Sequence, residues 1–151
     1  MNRKSLVLVV LLVCLAGVLI VLWPTDERRI MVLLREGIEA VESENIDAVM
    51  SRVSFNYRDD HGLTYLTLRE WVKAQFHVFS EIDVQEGELS VSVSDDRATA
   101  VLPARVLATE GSMRGYVVGG PKEPGRLAFV LAREHSRWLI VSCRLTDRHH
   151  P

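Results

Sequence analysis

An uncharged stretch near the N-terminus, from Ser5 to Trp23, limits the folds that are open to this chain. It contains 19 residues, of which 18 are apolar when Gly17 is included. A helix of that length is about 28 Å long at 1.5 Å per residue, close to the ~30 Å hydrocarbon core of a bilayer. Since a lone helix satisfies its own backbone polar groups in lipid, the stretch predicts a transmembrane helix that contacts the bilayer through residues 5–23.

A cleaved signal peptide is the alternative interpretation, because Arg3 and Lys4 supply a basic start. The apolar region of such a peptide should be about 7–15 residues long and end in small residues. Residues 14–16 (Cys-Leu-Ala) make a poor cleavage site, so the pattern favours an uncleaved signal-anchor. Residues 1–24 are then a short cytoplasmic head and a helix. Under the positive-inside rule the following domain lies on the extracytoplasmic, periplasmic side.

The rest of the chain has the composition of one globular domain, predicted over residues 25–147 and followed by a polar tail over 148–151. Apolar residues make up 48% and charged residues 25% of the sequence, which excludes extended disorder and collagen-like repeats. Beyond Lys4, 16 basic residues stand against 20 acidic ones, so we expect no nucleic-acid partner. Cys14 and Cys143 provide neither a disulfide framework nor a CxxC pair.

Helical spacing of apolar residues characterises the first part of this domain. A first helix is predicted to be capped by Thr25, and a short second helix to begin at Asn45. A third helix is predicted from Thr67 to about Ser80, with Thr67 and Glu70 as a capping box. It presents a wide apolar stripe formed by Leu68, Trp71, Val72, Gln75, Phe76 and Phe79.

A period of two follows, which is typical of strands. Residues 54–58 alternate as a short strand, and from Glu81 to Leu145 the alternation predicts an antiparallel series ending in a hairpin across His135-Ser136. Pro103 lies inside one long strand and implies a bulge or an edge position there. Helices followed by antiparallel strands predict an α+β domain with helices on one face of a curved sheet.

This order of elements resembles the nuclear transport factor 2-like superfamily, with its SnoaL-type and ketosteroid-isomerase-type members. The resemblance covers about Asp26 to Leu145 and is carried by residues 45–50 (NIDAVM), 55–59 (FNYRD) and 137–141 (RWLIV). It implies a cone, in which a bent sheet wraps around two to three helices and leaves an apolar cavity between them. Isomerases, dehydratases, cyclases and binding modules all use such cones, so the fold alone does not decide the function.

An isomerase-type site needs a carboxylate or histidine in the apolar cavity and a donor for the developing oxyanion. Glu134 is the nearest acid on an apolar strand, yet it ends that strand, and no residue matches the catalytic carboxylate of the family. His77 is predicted to face away from the apolar stripe, and residues 59–61 (Asp-Asp-His) read as a solvated turn. The sequence therefore predicts no metal site and no cofactor, and it leaves the catalytic residues open.

Aromatic residues and one arginine are the candidates for lining the cavity. Arg105 lies in mid-strand beside Pro103, where it either faces solvent or clamps an anion or carboxylate at the cavity mouth. The aromatic residues either line a pocket or form the core. The candidate set is Tyr57, Tyr65, Trp71, Phe79, Arg105, Tyr116 and Phe129.

The last two predicted strands are apolar on both faces. A simple alternation puts Leu139, Val141, Cys143 and Leu145 on one face of the final strand, and Trp138 and Ile140 on the other. Because the helices cover one face of the sheet, the second face predicts self-association. The candidate residues for that dimer face are Trp138, Ile140 and Val130.

Two hypotheses for the function follow from these patterns. The leading one is a membrane-anchored extracytoplasmic module for binding or assembly, whose partner is a second copy, a protein of the cell envelope or a small apolar ligand. The alternative is a SnoaL-like isomerase or dehydratase that acts on a small apolar ligand in the cone cavity. An interior carboxylate or histidine beside a tyrosine would favour the enzyme.

Overall fold

The computed structural model describes residues 3–22 and 25–146. The predicted polar tail over 148–151, the first two residues of the head, and Trp23 and Pro24 at the end of the predicted anchor lie outside the described residues.

The N-terminal segment is helical. Helix α1 runs from Arg3 to Leu22, and its side chains are described from Val7 to Val18, where all are exposed. Within the part of the chain that is described in this way, no helix is both long and apolar enough to cross a membrane. The membrane-spanning role of the segment stays a prediction.

Two helices follow where the spacing of apolar residues predicts them. Helix α2 covers Asp26–Glu42, and the Thr25 side chain accepts a hydrogen bond from the Arg28 N–H at 3.4 Å. Helix α3 covers Ile46–Met50, and Asn45 Oδ1 accepts from the Ala48 N–H at 3.0 Å. Both side chains satisfy a backbone donor that the first turn of a helix leaves unpaired.

Helix α4 covers Tyr65–Val78 and begins two residues before the predicted start. The predicted capping box of Thr67 and Glu70 is wrong. Thr64 is the N-cap, and its N–H donates to Thr67 Oγ1 at 2.7 Å. Since Thr67 occupies the third helical position, it supplies the acceptor that the sequence pattern assigned to a longer acidic side chain.

Six strands form one antiparallel sheet with β3 at its centre. They are β1 (Phe79–Glu86), β2 (Ser90–Ser94), β3 (Arg97–Glu110), β4 (Met113–Val118), β5 (Gly125–Glu134) and β6 (Arg137–Thr146). The sheet follows the order β1-β3-β5-β6, and β2 and β4 also pair with β3. β1 pairs with the C-terminal part of β3 and β2 with its N-terminal part. Pro103 lies between these two pairings, where its carbonyl accepts from the Gly87 N–H at 2.7 Å.

The predicted strand over residues 54–58 is not formed. The segment is a loop in which the Tyr57 N–H donates to the Ser54 carbonyl at 3.0 Å. The loop is fixed to β6 instead, because the Ser54 and Arg58 N–H groups donate to the carbonyls of Ile140 and Val141 at 2.9 and 3.0 Å. The alternating residues 54–58 therefore belong to a loop that lies beside β6 and forms two isolated backbone hydrogen bonds with it.

The core consists of two clusters between the helices and the sheet. The first joins α2 to β3, β5 and β6 through Ile30, Leu34, Ala98, Ala100, Leu131 and Trp138. The second lies under α3 and α4 and contains Met50, Val53 and Tyr57. Helices on one face of a single antiparallel sheet confirm the predicted α+β class and agree with a cone.

A β-bulge in β6 changes which side chains face the core. Leu131 pairs with Ile140 but Val130 pairs with Ser142, so Val141 is the extra residue. Trp138 and Ile140 pack against the first cluster on one side of the bulge, and Cys143 packs against the second cluster on the other. Trp138 and Ile140 share a face as predicted, but the predicted faces are wrong beyond the bulge, because the extra residue shifts the alternation by one position.

Candidate functional site

The Tyr57 side chain lies in the interior beneath α3 and α4. It is 4% exposed and packs with Met50 and Val53. Its hydroxyl donates to Asp59 Oδ2 at 3.1 Å. A tyrosine beside a carboxylate is the arrangement that would favour an enzyme, so the environment of this pair decides what it can do.

The Asp59 carboxylate is held by its own loop. Its Oδ1 accepts hydrogen bonds from the N–H groups of His61 and Leu63 at 2.9 and 3.0 Å, while Oδ2 accepts from Tyr57. Such bonds from a side chain to nearby backbone N–H groups define a turn. Asp59 thus organises the 59–63 loop, and the Tyr57 hydroxyl that donates to it is not directed at a ligand.

The Cys143 thiol lies next to this pair. Burial, with a smaller contribution from the Asp59 charge, raises the pKa of Cys143 to about 12. Burial also raises the pKa of Tyr57, reinforced by Cys143 and Asp59. Both groups are therefore neutral at physiological pH, which makes the thiol a poor nucleophile and the phenol a poor base.

The seven predicted cavity-lining residues do not surround one cavity. Tyr57 and Tyr65 belong to the second core cluster, and Phe129 packs against the first. Tyr65 also contacts the exposed Phe55 with ring centroids 4.5 Å apart. The remaining four lie elsewhere: Trp71 is 51% and Tyr116 42% exposed, Phe79 begins β1, and Arg105 Nε donates to the Gly120 carbonyl at 2.8 Å.

The three predicted dimer-face residues are divided between the two faces of the sheet. Trp138 and Ile140 face the helices, which corrects their assignment to the outer face. Val130 lines a depression of about 520 Å³ on the other face, together with Ala132 and Val141. Arg58 and Arg97 also line it, so this part of the outer face combines a small apolar floor with charged side chains.

Sequence reasoning missed a polar cluster at the start of α2. Asp26 Oδ1 accepts from Trp138 Nε1 at 3.1 Å, and Asp26 Oδ2 pairs with the Arg133 guanidinium. The Trp138 hydrogen bond, followed by Arg133, lowers the pKa of Asp26 despite partial burial. No local motif marks the cluster, because more than 100 residues separate Asp26 from both partners.

Groups of three histidine, cysteine, aspartate or glutamate side chains that could hold a metal ion do not occur within residues 3–22 and 25–146. The Asp59-Asp60-His61 segment uses its first carboxylate for the turn described above, and Asp60 Oδ2 accepts from Arg144 Nη1 at 3.3 Å. The carboxylates of this segment therefore have structural partners.

Comparison with known proteins identifies the fold. No protein-family model matches the sequence, and no curated protein matches it. Among solved structures, a Novosphingobium aromaticivorans protein provisionally assigned as an aromatic-ring hydroxylase superimposes with a TM-score of 0.70 at 19% identity, over 83% of this chain and 90% of its own. A provisionally assigned dehydratase of the NTF2-like family from Streptomyces avermitilis gives 0.68 at 13% identity, over 83% and 97%.

A third structure, an NTF2-like protein of unknown function from Pseudomonas putida, gives a TM-score of 0.65 at 14% identity, over 82% of this chain and 87% of its own. The chain has the nuclear transport factor 2-like fold. This confirms the fold that the resemblance implied, and we refer to residues 25–146 as the NTF2-like domain. At identities below 25% the likeness concerns the fold alone.

Proposed function

We propose that the protein is a membrane-anchored binding or assembly module that holds its NTF2-like domain outside the cytoplasm. The observation that carries this proposal is the chemistry of the domain interior. The polar groups among the buried side chains of the described chain are the hydroxyls of Ser54 and Tyr57 and the indole N–H of Trp138, and none of these side chains is a carboxylate or an imidazole. An acid–base enzyme of this fold would need a carboxylate or imidazole among them.

The Ser54 hydroxyl is already paired, which supports the same proposal. It donates to Glu134 Oε1 at 2.6 Å and accepts from the Asn56 N–H at 3.0 Å. Ser54 therefore fixes the loop before α4 to the end of β5. Glu134, the acid that came nearest to a catalytic position in the sequence, is engaged in this structural contact.

The N-terminal segment supports the anchoring part of the proposal. Residues 5–23 contain no charge, and the described side chains of α1, from Val7 to Val18, are exposed. An exposed apolar surface of this kind is stabilised by lipid or by a partner protein. Arg3 and Lys4, which precede this uncharged segment, favour a cytoplasmic position for the head that contains them.

Chemical cross-linking of the full chain in membranes tests the proposal. The chain is expressed in a Gram-negative host, and the membranes are washed at alkaline pH before cross-linking. We expect the chain to stay in the membrane pellet and to give discrete cross-linked species heavier than one copy. A matched chain of residues 25–151, which lacks the uncharged segment, should leave the membrane fraction.

Native mass spectrometry of the full chain in detergent distinguishes the alternative function. A small apolar molecule that is bound in stoichiometric amount and chemically converted by the full chain, with no cross-linked species in membranes, would favour the SnoaL-like enzyme. Release of the full chain by the alkaline wash would contradict anchoring. The binding role and the membrane anchoring can therefore each be contradicted by a separate result.

A further inference from the structure

A depression of about 400 Å³ lies between α2, the segment after α3 and the turn that joins β5 to β6. Three arginines from these separate parts of the chain line it, namely Arg29, Arg52 and Arg137. The other lining residues are Val32, Leu33, Glu36, Ser51, Ser136 and Trp138. Trp138, which is 5% exposed, is thus a mostly buried residue at the floor or edge of the depression.

The charges of this arginine depression do not cancel. Glu36 is the one acid in its lining, and its Oε2 accepts from Arg52 Nη2 at 2.9 Å. The Arg52 Nε is buried and makes no hydrogen bond within the described chain. Arg29 and Arg137 are exposed and take part in none of the ion pairs formed among residues 25–146.

The surplus of positive charge in the arginine depression suits a phosphate group. Guanidinium groups bind phosphate oxygens through paired, charge-assisted hydrogen bonds. Two arginines that form no ion pair, beside the partly paired Arg52, suit a phosphate group better than a single carboxylate. The Ser51 hydroxyl donates to the Ala48 carbonyl at 2.8 Å, so Ser136 is the residue of the lining that carries a further hydroxyl donor.

The position of the depression along the chain suggests where such a phosphate comes from. Arg29 is in the first turn of α2, which begins at Asp26. Three residues separate Asp26 from Leu22 at the end of α1, and that stretch can span at most about 14 Å. When α1 is in a bilayer, as the proposed function requires, Arg29 is close to the lipid headgroups.

We propose that Arg29, Arg52 and Arg137 form a binding site for a phosphate group, supplied by an anionic lipid headgroup or by a soluble phosphate compound. The site itself is independent of the proposed function, whereas the lipid source rests on it. Both sources offer a phosphate group to the arginines, one from the surface of a bilayer and the other from solution.

Titration of the full chain in non-ionic detergent with inorganic phosphate tests the site. Trp138 fluorescence reports binding in a background that carries Trp23→Phe and Trp71→Phe. We expect saturable quenching at low ionic strength. In the double variant Arg29→Gln/Arg137→Gln, binding should weaken at least tenfold.

The matched control is Arg28→Gln/Arg126→Gln, which removes the same charge from two exposed arginines outside the depression. Its phosphate affinity should stay within twofold of the parent. Circular dichroism of both double variants checks that the domain stays folded. The site is overturned when the parent shows no saturable response, or when both double variants weaken binding equally.

Nanodiscs distinguish the two sources of phosphate. A Trp138 signal in phosphatidylglycerol but not in phosphatidylcholine discs, lost in Arg29→Gln/Arg137→Gln, supports a headgroup. Equal phosphate titrations in both kinds of disc, again lost in that variant, support a soluble compound. Because the detergent titration needs no bilayer, a failure of membrane anchoring would leave the result for the site unaffected.

Discussion

Asp26 connects the start of α2 to the far end of the chain. Its carboxylate accepts from Trp138 Nε1 and pairs with Arg133, whose guanidinium carbon also lies 4.9 Å from the centre of the Trp138 ring. The ring is thus held at its nitrogen by Asp26 and contacted by the Arg133 cation. Asp26 therefore stabilises the position of α2 on the sheet.

Replacement of this carboxylate should cost stability in a pH-dependent way. We expect Asp26→Asn to lower the free energy of unfolding of the full chain in detergent by about 1–2 kcal/mol at pH 7. The pKa of Asp26 is lowered from 3.8 in the folded chain, so its contribution is complete above that value. It is lost as the pH falls through the lower folded pKa. Urea unfolding at pH 7 and at pH 3 measures the difference.

The control for this experiment is Glu27→Gln, which removes an exposed acid from the same first turn. Its effect should stay within about 0.5 kcal/mol. A deficit of Asp26→Asn that is as large at pH 3 as at pH 7 would contradict the assigned role, because below 3.8 the unfolded chain binds a proton at Asp26 and the carboxylate then contributes less to stability.

The reactivity of Cys143 provides a second test at the residue scale. A pKa of about 12 instead of 9.0 leaves about a thousandfold less thiolate at pH 8. In a Cys14→Ser background, Cys143 should react with an aromatic disulfide reagent at least a hundredfold more slowly in the folded chain than in 8 M urea. Similar rates in the two states would mean that the thiol is open to solvent.

At the scale of single elements, Arg105 attaches the loop between β4 and β5 to the sheet. Its Nε donates to the Gly120 carbonyl at 2.8 Å, and the Gly120 N–H donates to the Glu123 carbonyl at 2.8 Å. Arg105→Ala should raise amide exchange in residues 119–124 about tenfold, because the loop loses its bond to β3. Hydrogen-exchange mass spectrometry measures this change.

The comparison variant for the loop is Arg126→Ala. Arg126 lines the same depression of about 780 Å³ as the loop, but its side chain is exposed. Exchange in the loop should stay within twofold in that variant. Equal acceleration in the two variants would show that the arginine charge, rather than the hydrogen bond to Gly120, controls the loop.

Sequence patterns predicted the elements whose spacing is regular. The apolar period of 3.6 located α2 and α4, and the period of two located most of β2 to β6. The period of two failed where one extra residue interrupts the alternation, since nothing in residues 137–145 marks Val141 as a bulge. It also failed over residues 54–58, which alternate but bond to β6 at two points only. Local spacing cannot distinguish such a loop from a strand.

At the scale of the whole molecule, element order predicted the fold and the candidate site escaped prediction. The α+β class follows from helices before antiparallel strands, a global property that survives local errors. The arginine depression depends on residues 29, 52 and 137, which come together only through tertiary packing. For the same reason the aromatic residues chosen as cavity-lining candidates turned out to be spread over core and surface.

The orientation of the chain in the membrane is the last prediction. Arg3 and Lys4 precede the uncharged segment, while Arg28 and Arg29 follow it beside Asp26 and Glu27. The positive-inside rule gives acids little weight, so the two ends are close to balanced, and we expect the short head to be the end that stays in the cytoplasm. The test uses a variant in which Cys14 and Cys143 are replaced by serine and Ser136→Cys is introduced at the exposed β5–β6 turn. On intact spheroplasts, this new cysteine should react with a membrane-impermeant maleimide.

Near-balance makes the orientation sensitive to charge, which provides a strong internal test. In the same background Asn2→Cys should be protected from the reagent until the cells are lysed. Replacement of both head residues, Arg3→Gln and Lys4→Gln, leaves the bias to Arg28 and Arg29 and should reduce labelling at position 136 by half or more. Labelling of Asn2→Cys on intact spheroplasts would place the domain in the cytoplasm and contradict an extracytoplasmic binding module.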